Sequence, residues 1–435
     1  LEDKEAVLDL EEKKADSEDK DDKKKEEPRQ GVDFYRTDFR RFDVINEGSL
    51  YHFNGFSHFS SLAPGGISKL MEHLGIAAAG NSYRYYDTTP LVDAITSMRY
   101  VMNKGQEFPL SDTAYKYTSE KLTGSIWLAE NTRVLPLGFM TDPEVLNWQT
   151  EDSQPFEVQN DFVHRAAGLT EDLFTMVPPK AVTVENISVE DVSEHGDVFN
   201  YKASDPYDLT APPSVHAEFR SDRNQYLWLY VDAPNASRLV FEKKGVIEDR
   251  ELSAGRSMIN VGHVSEGEKI EVHFSLTRRG AFEKTWRKEG SVRLFAAGWN
   301  DAVFEKAYNS LNTDTLQLRR FEDTRIEGTI EASEDGILLT SIPYTSGWKV
   351  CVDGTPVEKR GIGENGLLGF EVTAGPHEVV LEYSSPFAVP AAVSSVTGVV
   401  LFLFLRRYLQ RMVTRSPISR NHPEEHPHTH VLFHL

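Results

Sequence analysis

From Pro386 to Leu405 the sequence reads PFAVPAAVSSVTGVVLFLFL, a run without a single charge. At 1.5 Å rise per residue, about 20 residues of helix cross the roughly 30 Å hydrocarbon core of a bilayer. A buried core helix is the alternative, but such runs are usually only about 10–14 residues long. Arg406, Arg407, Arg411 and Arg415 follow the run, while Glu378 and Glu382 precede it. The positive-inside rule therefore expects the tail, residues 406–435, in the cytoplasm and the body outside. Pro390 and Gly398 are both tolerated in membrane helices, and Gly398 is of the small type that permits close helix packing.

The rest of the 435 residues must fold in water, and the length predicts two or three domains. A hydrophobic fraction of 39% with 11% aromatic residues is ample for packed cores. The net charge of -21 excludes nucleic acid as a partner, because binding a duplex needs a basic surface to displace counterions. Cys351 is the single cysteine, which excludes an internal disulfide and a cysteine-rich metal site. The chain opens at Leu1 on a charged run where a signal peptide would be apolar. A fragment of a longer chain is expected.

Residues 1–30 are dominated by Asp, Glu and Lys and predict a disordered linker. Residues 31–178 predict a mixed α+β subdomain. SHFSSLAPGGISKLMEHLGIA carries Ile67, Leu70, Met71 and Leu74 at helical spacing, with Gly75 as the stop. TTPLVDAITSMRYVMNKG begins with Thr88 or Thr89 as N-cap and Pro90 in the first turn, then passes into a strand at Tyr100 to Met102. A strand pair is expected around SIWLAENTRVLPLGF and a helix around DFVHRAAGLTEDLF.

After Pro178 the text changes to short alternating runs such as VHAEFR, QYLWLYVDA and KIEVHFSLT, separated by turn residues. Residues 179–285 predict a β-sandwich or jelly roll, and residues 286–385 a second β subdomain. Asp353-Gly354, set between alternating strands, is the strongest hairpin signal in the chain.

SIPYTSGWKVCVDGTPVEKR, then LGFEVTAGPHEVVLEYSSP and a final membrane helix, resembles the C-terminal end of the bacterial YfhO-type membrane protein family. LYHFNGFSHFSSL, PLVDAITSMRYVMNKG and WLAENTRVLPLGFM match in the same order, so the resemblance covers most of Tyr35 to Leu405. It implies a polytopic glycosyltransferase of the GT-C type. Such enzymes take sugar from a polyprenyl-phosphate donor and place it on envelope acceptors such as lipoteichoic acid or a glycolipid. The multi-spanning N-terminal portion that holds the catalytic carboxylate in these enzymes is absent from this sequence. No catalytic residue is carried over, no cofactor is expected within this chain, and the chain alone is expected to be inactive. SMRYVM departs from the family text, so no family role is carried to Arg99.

Asn54, Ser57, His58 and Ser60 lie in a loop interleaved with Phe56 and Phe59. Hydrogen-bonding groups alternating with aromatic faces suit a sugar or a lipid head group, although such a loop can also satisfy itself. Trp348 could stack on a sugar ring or pack in the β core. Asn54, Ser57, His58 and Trp348 are the candidate ligand-binding residues. Glu130 and Asn131 sit in an apolar strand where burial would raise a carboxyl pKa, but no paired carboxylate marks glycosidase chemistry. His377 is expected to fix a turn. His422, His426, His428 and His430 form a tract able to bind a metal only by composition, and no metal site is assigned. The alternative to an enzyme part is a stand-alone, membrane-anchored carbohydrate-binding or structural module; a series of hydrophobic spans encoded upstream of Leu1 would exclude it.

Overall fold

The computed structural model describes residues 32–40, 44–86, 88–104, 117–123, 125–150, 154–203, 212–253, 255–277 and 288–415. The chain is α+β, in two compact units, Leu1–Tyr383 and Ser384–Leu435. The expected linker at residues 1–30 and the histidine tract fall outside the described residues.

In the first unit, short amphipathic helices build a central layer. Gly65–His73 buries Ile67, Leu70 and Met71, and Gly75 leaves it with φ 91°, a left-handed value that glycine adopts without strain. Pro90–Ile95 is capped by Thr89, whose hydroxyl accepts from the Val92 amide. Pro155–Ala167 starts earlier and stops sooner than DFVHRAAGLTEDLF implies. Pro155 presets its first turn, Gly168 at φ 65° ends it, and Phe174–Met176 is instead a strand. Asp301–Leu311 completes the layer, with the Asn300 side chain capping Val303.

Antiparallel sheets enclose this layer. The sandwich has one sheet in the order Ala181–Glu185, Ser214–Arg220, Lys269–Ser275, Arg238–Lys243, Val246–Glu251. The facing sheet runs Ile187–Glu190, Val198–Ala203, Glu289–Trp299, Gln225–Asp232, Arg256–Val264. Glu289–Trp299 lies at the middle of that sheet, so the sandwich continues beyond residue 285. Its alternation explains why: Val292, Leu294 and Ala296 enter the sandwich core, while Phe295, Ala297 and Trp299 enter the central core. Gln225–Asp232 divides in the same way, with Leu227, Leu229 and Val231 on one side and Trp228 and Tyr230 on the other. Both faces are buried, which is why QYLWLYVDA reads as nearly continuous apolar text.

The second β region pairs Gln317–Glu322, Arg325–Ala332, Gly375–Tyr383, Trp348–Val352 and Thr355–Val357 in one sheet, and Lys359–Ile362, Leu367–Val372 and Gly336–Pro343 in another. Gly138–Thr141 joins the latter sheet by pairing with Gly336–Pro343. The strands expected to pair with each other around SIWLAENTRVLPLGF therefore both exist but lie apart. Ile126–Asn131 pairs with Met98–Lys104 and Tyr117–Thr123, because Phe139 faces the central core and Ile126 a separate small one. Asp353 and Gly354 form the expected two-residue hairpin, with φ 52° and 73° as a type I′ turn requires.

In the second unit, the helix Ala388–Arg415 begins two residues after the expected start and continues through the arginines. Among the described residues it is the one helix long and apolar enough to cross a membrane, over Pro390–Arg411. Val393, Val396, Phe402 and Phe404 are each at least 60% exposed. A helix apolar on every side calls for an apolar surrounding.

Trp228, 1% exposed, is one of the two tryptophans, with Trp299, that the sandwich sends into the central core. Trp228→Ala should lower the unfolding free energy by about 3–5 kcal/mol, read from the midpoint of denaturant unfolding.

Candidate functional site

The strand Arg36–Phe39 pairs in parallel with Met98–Lys104 and carries two ionisable groups two residues apart, hence on one face. Asp38 is 3% exposed and gathers the candidate loop around itself. It accepts from its neighbour Phe39 at 2.8 Å, from the Phe56 amide at 3.0 Å and from the Ser57 amide. Burial pushes its carboxyl up to about 7, against hydrogen bonds from Ser57, Phe39 and Phe56 that pull it down. The Ser57 hydroxyl accepts from the Tyr85 amide at 2.8 Å. Ser57 is thus committed to the frame of the loop.

Arg36 stands on the same strand face. Its guanidinium donates to the Thr96 carbonyl at 2.7 Å and to the Ser341 hydroxyl and carbonyl at 2.8 and 2.9 Å. Burial lowers it to about 10, so it remains charged at neutral pH. Tyr83 feels both ionisable groups, and burial raises its phenol. Nearby, Asp93 accepts from Thr88 and from Tyr85 at 3.4 Å. The geometry makes Arg36 and Asp38 positioning residues for what lies outside them.

What lies outside is Asn54 and His58. Asn54 is exposed, and its carbonyl accepts from the Thr37 amide at 2.9 Å. His58 is half-buried and lies not in an open loop but on the short strand His58–Phe59, paired antiparallel with Ser82–Arg84; its ring is 6.0 Å from that of Tyr83, and burial lowers its pKa, disfavouring the charged form. A neutral imidazole offers one donor and one acceptor. Gly48 and Gly55 allow the chain to cross itself beneath these residues, since a Cβ on Gly48 would meet Gly55 at 2.9 Å. Ser60 caps its own turn by accepting from the Leu62 amide at 3.2 Å. Phe56 is buried and Phe59 exposed.

Trp348 is not drawn to this loop. It packs against the second β core with its ring edge-on to Tyr383, 5.2 Å away, and its carbonyl accepts from Lys359. Glu130 accepts from the Tyr100 hydroxyl at 3.3 Å, and Asn131 bonds the Met98 carbonyl and the Arg133 amide. Arg99 pairs with Asp33 over the Tyr35 ring. His377 holds its hairpin as expected, 2.7 Å from Asp353 and 3.0 Å from the Thr373 carbonyl.

Two shallow grooves lie elsewhere. One of about 430 Å³ crosses the outer face of the sandwich beside His216, His273 and Glu218; the other, of about 510 Å³, lies beside Arg360 and Glu371. The acidic rim of the first is partly compensated, with Glu218 paired to Arg220 and Glu271 to Lys269.

Sequence reasoning missed Asp38 and Arg36. The signal was present in YRTDF, where two charges share one face of an otherwise aromatic strand. Because the folded pKa of Asp38 lies above its unfolded value, the unfolded chain releases the proton first as pH rises. Stability relative to Asp38→Asn should be fully present below about pH 4 and fall by on the order of 4 kcal/mol by pH 7. Denaturant titrations of both proteins between those limits measure it.

The family model described as bacterial membrane protein YfhO matches residues 4–394. The uncharacterized protein YfhO of Bacillus subtilis (strain 168) is 23% identical over 112 residues, which make up 24% of this chain and 13% of that protein. The matched stretch is a small part of the relative's length. Among solved structures, the CBM32-1, CBM32-2 and M60 catalytic domains of Clostridium perfringens ZmpB align with a TM-score of 0.23 and 8% identity, over 48% of this chain and 36% of that one. Arabinofuranosyltransferase AftD from Mycobacteria aligns with a TM-score of 0.18 and 9% identity, over 65% and 26%. Likenesses at such scores bear on neither fold nor function. The match to the family model covers most of the chain: this protein belongs to the bacterial YfhO membrane protein family.

Proposed function

We propose that this chain is the extracytoplasmic C-terminal part of a YfhO-like envelope glycosyltransferase, anchored by Pro390–Arg411, and that its loop at residues 54–60 holds the sugar acceptor. The family match over residues 4–394 carries the reading. The donor, a polyprenyl-phosphate sugar, and the catalytic carboxylate belong on this reading to a polytopic portion outside this sequence. Arg406, Arg407 and Arg411 at the end of the helix support a cytoplasmic tail and an outer body.

The geometry of the loop supports acceptor binding. Asn54 is exposed and His58 half-buried, and both stand on a frame pinned by Asp38. Preorganised donors and acceptors lose little entropy when a sugar hydroxyl arrives. A net charge of -21 opposes the approach of a polyanionic lipoteichoic acid, though screening confines that effect to within about 8 Å at physiological salt, and a neutral glycolipid meets no such repulsion.

Titrating the full chain in lipid nanodiscs with a soluble diglucosyl-glycerol head group tests this by calorimetry. His58→Ala and Asn54→Ala should each weaken binding by about tenfold, the worth of one hydrogen bond to a preorganised group. Binding that both variants leave unchanged, or no binding by the unaltered chain, contradicts the proposal.

A further inference from the structure

On the outer face of the sandwich, His216 and His273 stand directly opposite each other on the antiparallel strands Ser214–Arg220 and Lys269–Ser275. Side chains paired in this way have Cβ atoms about 4.5–5.5 Å apart. The ring centroids are 4.1 Å apart and the planes are tilted by 31°. Both rings are half-buried in the wall of the groove of about 430 Å³, and Thr183 and Val240 complete their row across the sheet. The Nδ1 of His273 is buried and makes no hydrogen bond among the described residues; the groups that bear on that ring are His216, the Val215 carbonyl and Glu185.

Carboxylates flank the pair on both sides. Glu185 stands one row on, opposite Ser214, whose hydroxyl donates to it at 3.4 Å. In the row on the other side, Glu218, Glu271 and Glu242 face one another across three strands of the same surface. Imidazole ligates a metal through a bare ring nitrogen, and nearby carboxylates stabilise the added positive charge without touching it. Two nitrogens bound to one ion at about 2.0 Å each, at a right angle, lie about 3 Å apart. Rings centred 4.1 Å apart and tilted towards each other meet that spacing with small rotations.

We propose that His216 and His273 together bind one divalent transition-metal ion, Ni²⁺, Cu²⁺ or Zn²⁺, with water in its remaining positions. Among the described residues no group of three or more His, Cys, Asp or Glu side chains is placed to hold an ion, so the protein supplies two ligands and no third. Imidazole ligands select these ions over Mg²⁺ and Ca²⁺, which take sets of oxygens. With positions left to water, Cu²⁺ binds most tightly of the three and each ion stays exchangeable. An ion held between two strands binds the folded sandwich and not the unfolded chain, so it stabilises the fold. Nothing in the site depends on acceptor binding at Asn54 and His58.

Calorimetric titration of the full chain in lipid nanodiscs with NiCl₂, beside the double variant His216→Ala/His273→Ala, tests this. Both proteins keep Cys351 and the tract of His422, His426, His428 and His430, so ions taken up there cancel in the comparison. The unaltered chain should bind one equivalent more than the double variant, and Ca²⁺ in excess should not displace it. At a Ni²⁺ concentration ten times the dissociation constant of that site, the folded-to-unfolded ratio of the unaltered chain should rise about tenfold relative to the variant. If the double variant does not unfold cooperatively without metal, His216→Ala alone, which leaves one imidazole, takes its place and should lose the same site. Equal stoichiometry in the two proteins overturns the proposal. So does an extra equivalent that Ca²⁺ displaces, which would assign the groove to its carboxylates, or one that brings no stabilisation. Head-group binding at residues 54–60 should be the same in both proteins, so either outcome leaves the acceptor reading to its own test.

Discussion

At its centre, the inner sheet of the sandwich has no free face. Gln225–Asp232 and Glu289–Trp299 send alternate side chains into two different cores, and Gly336–Pro343 does the same on the other side of the helical layer, with Leu338 and Ile342 outward and Ile337 and Leu339 inward. Burying one large apolar side chain contributes roughly 1.5–3 kcal/mol, whereas a partly exposed ion pair contributes about 0–1. The Arg256 bridge to Asp232 and Glu72, at 3.0 and 2.8 Å, links the sandwich to the helix Gly65–His73. Shared sheets make residues of widely separated parts of the chain one body.

That body allows a short loop to be held rigidly. Arg36 reaches Ser341, 305 residues away, and Asp38 two positions on gathers Phe56 and Ser57. Buried charge is costly unless hydrogen-bonded, and both residues are, largely by main-chain groups that a sheet and a tight loop bring to them. The exposed residues of the loop inherit their positions from these buried ones. A site on a loop is precise only when its supports are fixed.

Local features were legible in the sequence wherever the chemistry was local. The Thr89 cap, the Gly75 stop and the Asp353-Gly354 turn each depend on neighbours in the chain, and the alternating runs after Pro178 became strands in order. Pairing was not legible, because a period of two tells which residues share a face but not which strand lies alongside. Gly138–Thr141 bonds to a strand some two hundred residues later for that reason. The double burial of Glu289–Trp299 likewise hid its place within the sandwich. In the candidate site, Asn54 is exposed and His58 half-buried, as polar groups among aromatics can be, while Ser57 bonds the Tyr85 amide and Trp348 packs against the second β core. Asp38 was invisible as a site residue because its importance comes from burial, which only the assembled body supplies.

On the proposed topology the body lies outside the membrane, and the single cysteine of the chain, Cys351, makes that directly measurable. In a Cys351→Ser background, intact bacterial cells bearing Ser346→Cys, in an exposed turn of the body, should react with a membrane-impermeant maleimide. Cells bearing Ser416→Cys, after the arginines, should react only once permeabilised. Labelling of Ser416→Cys with protection of Ser346→Cys in intact cells would invert the topology and contradict the account.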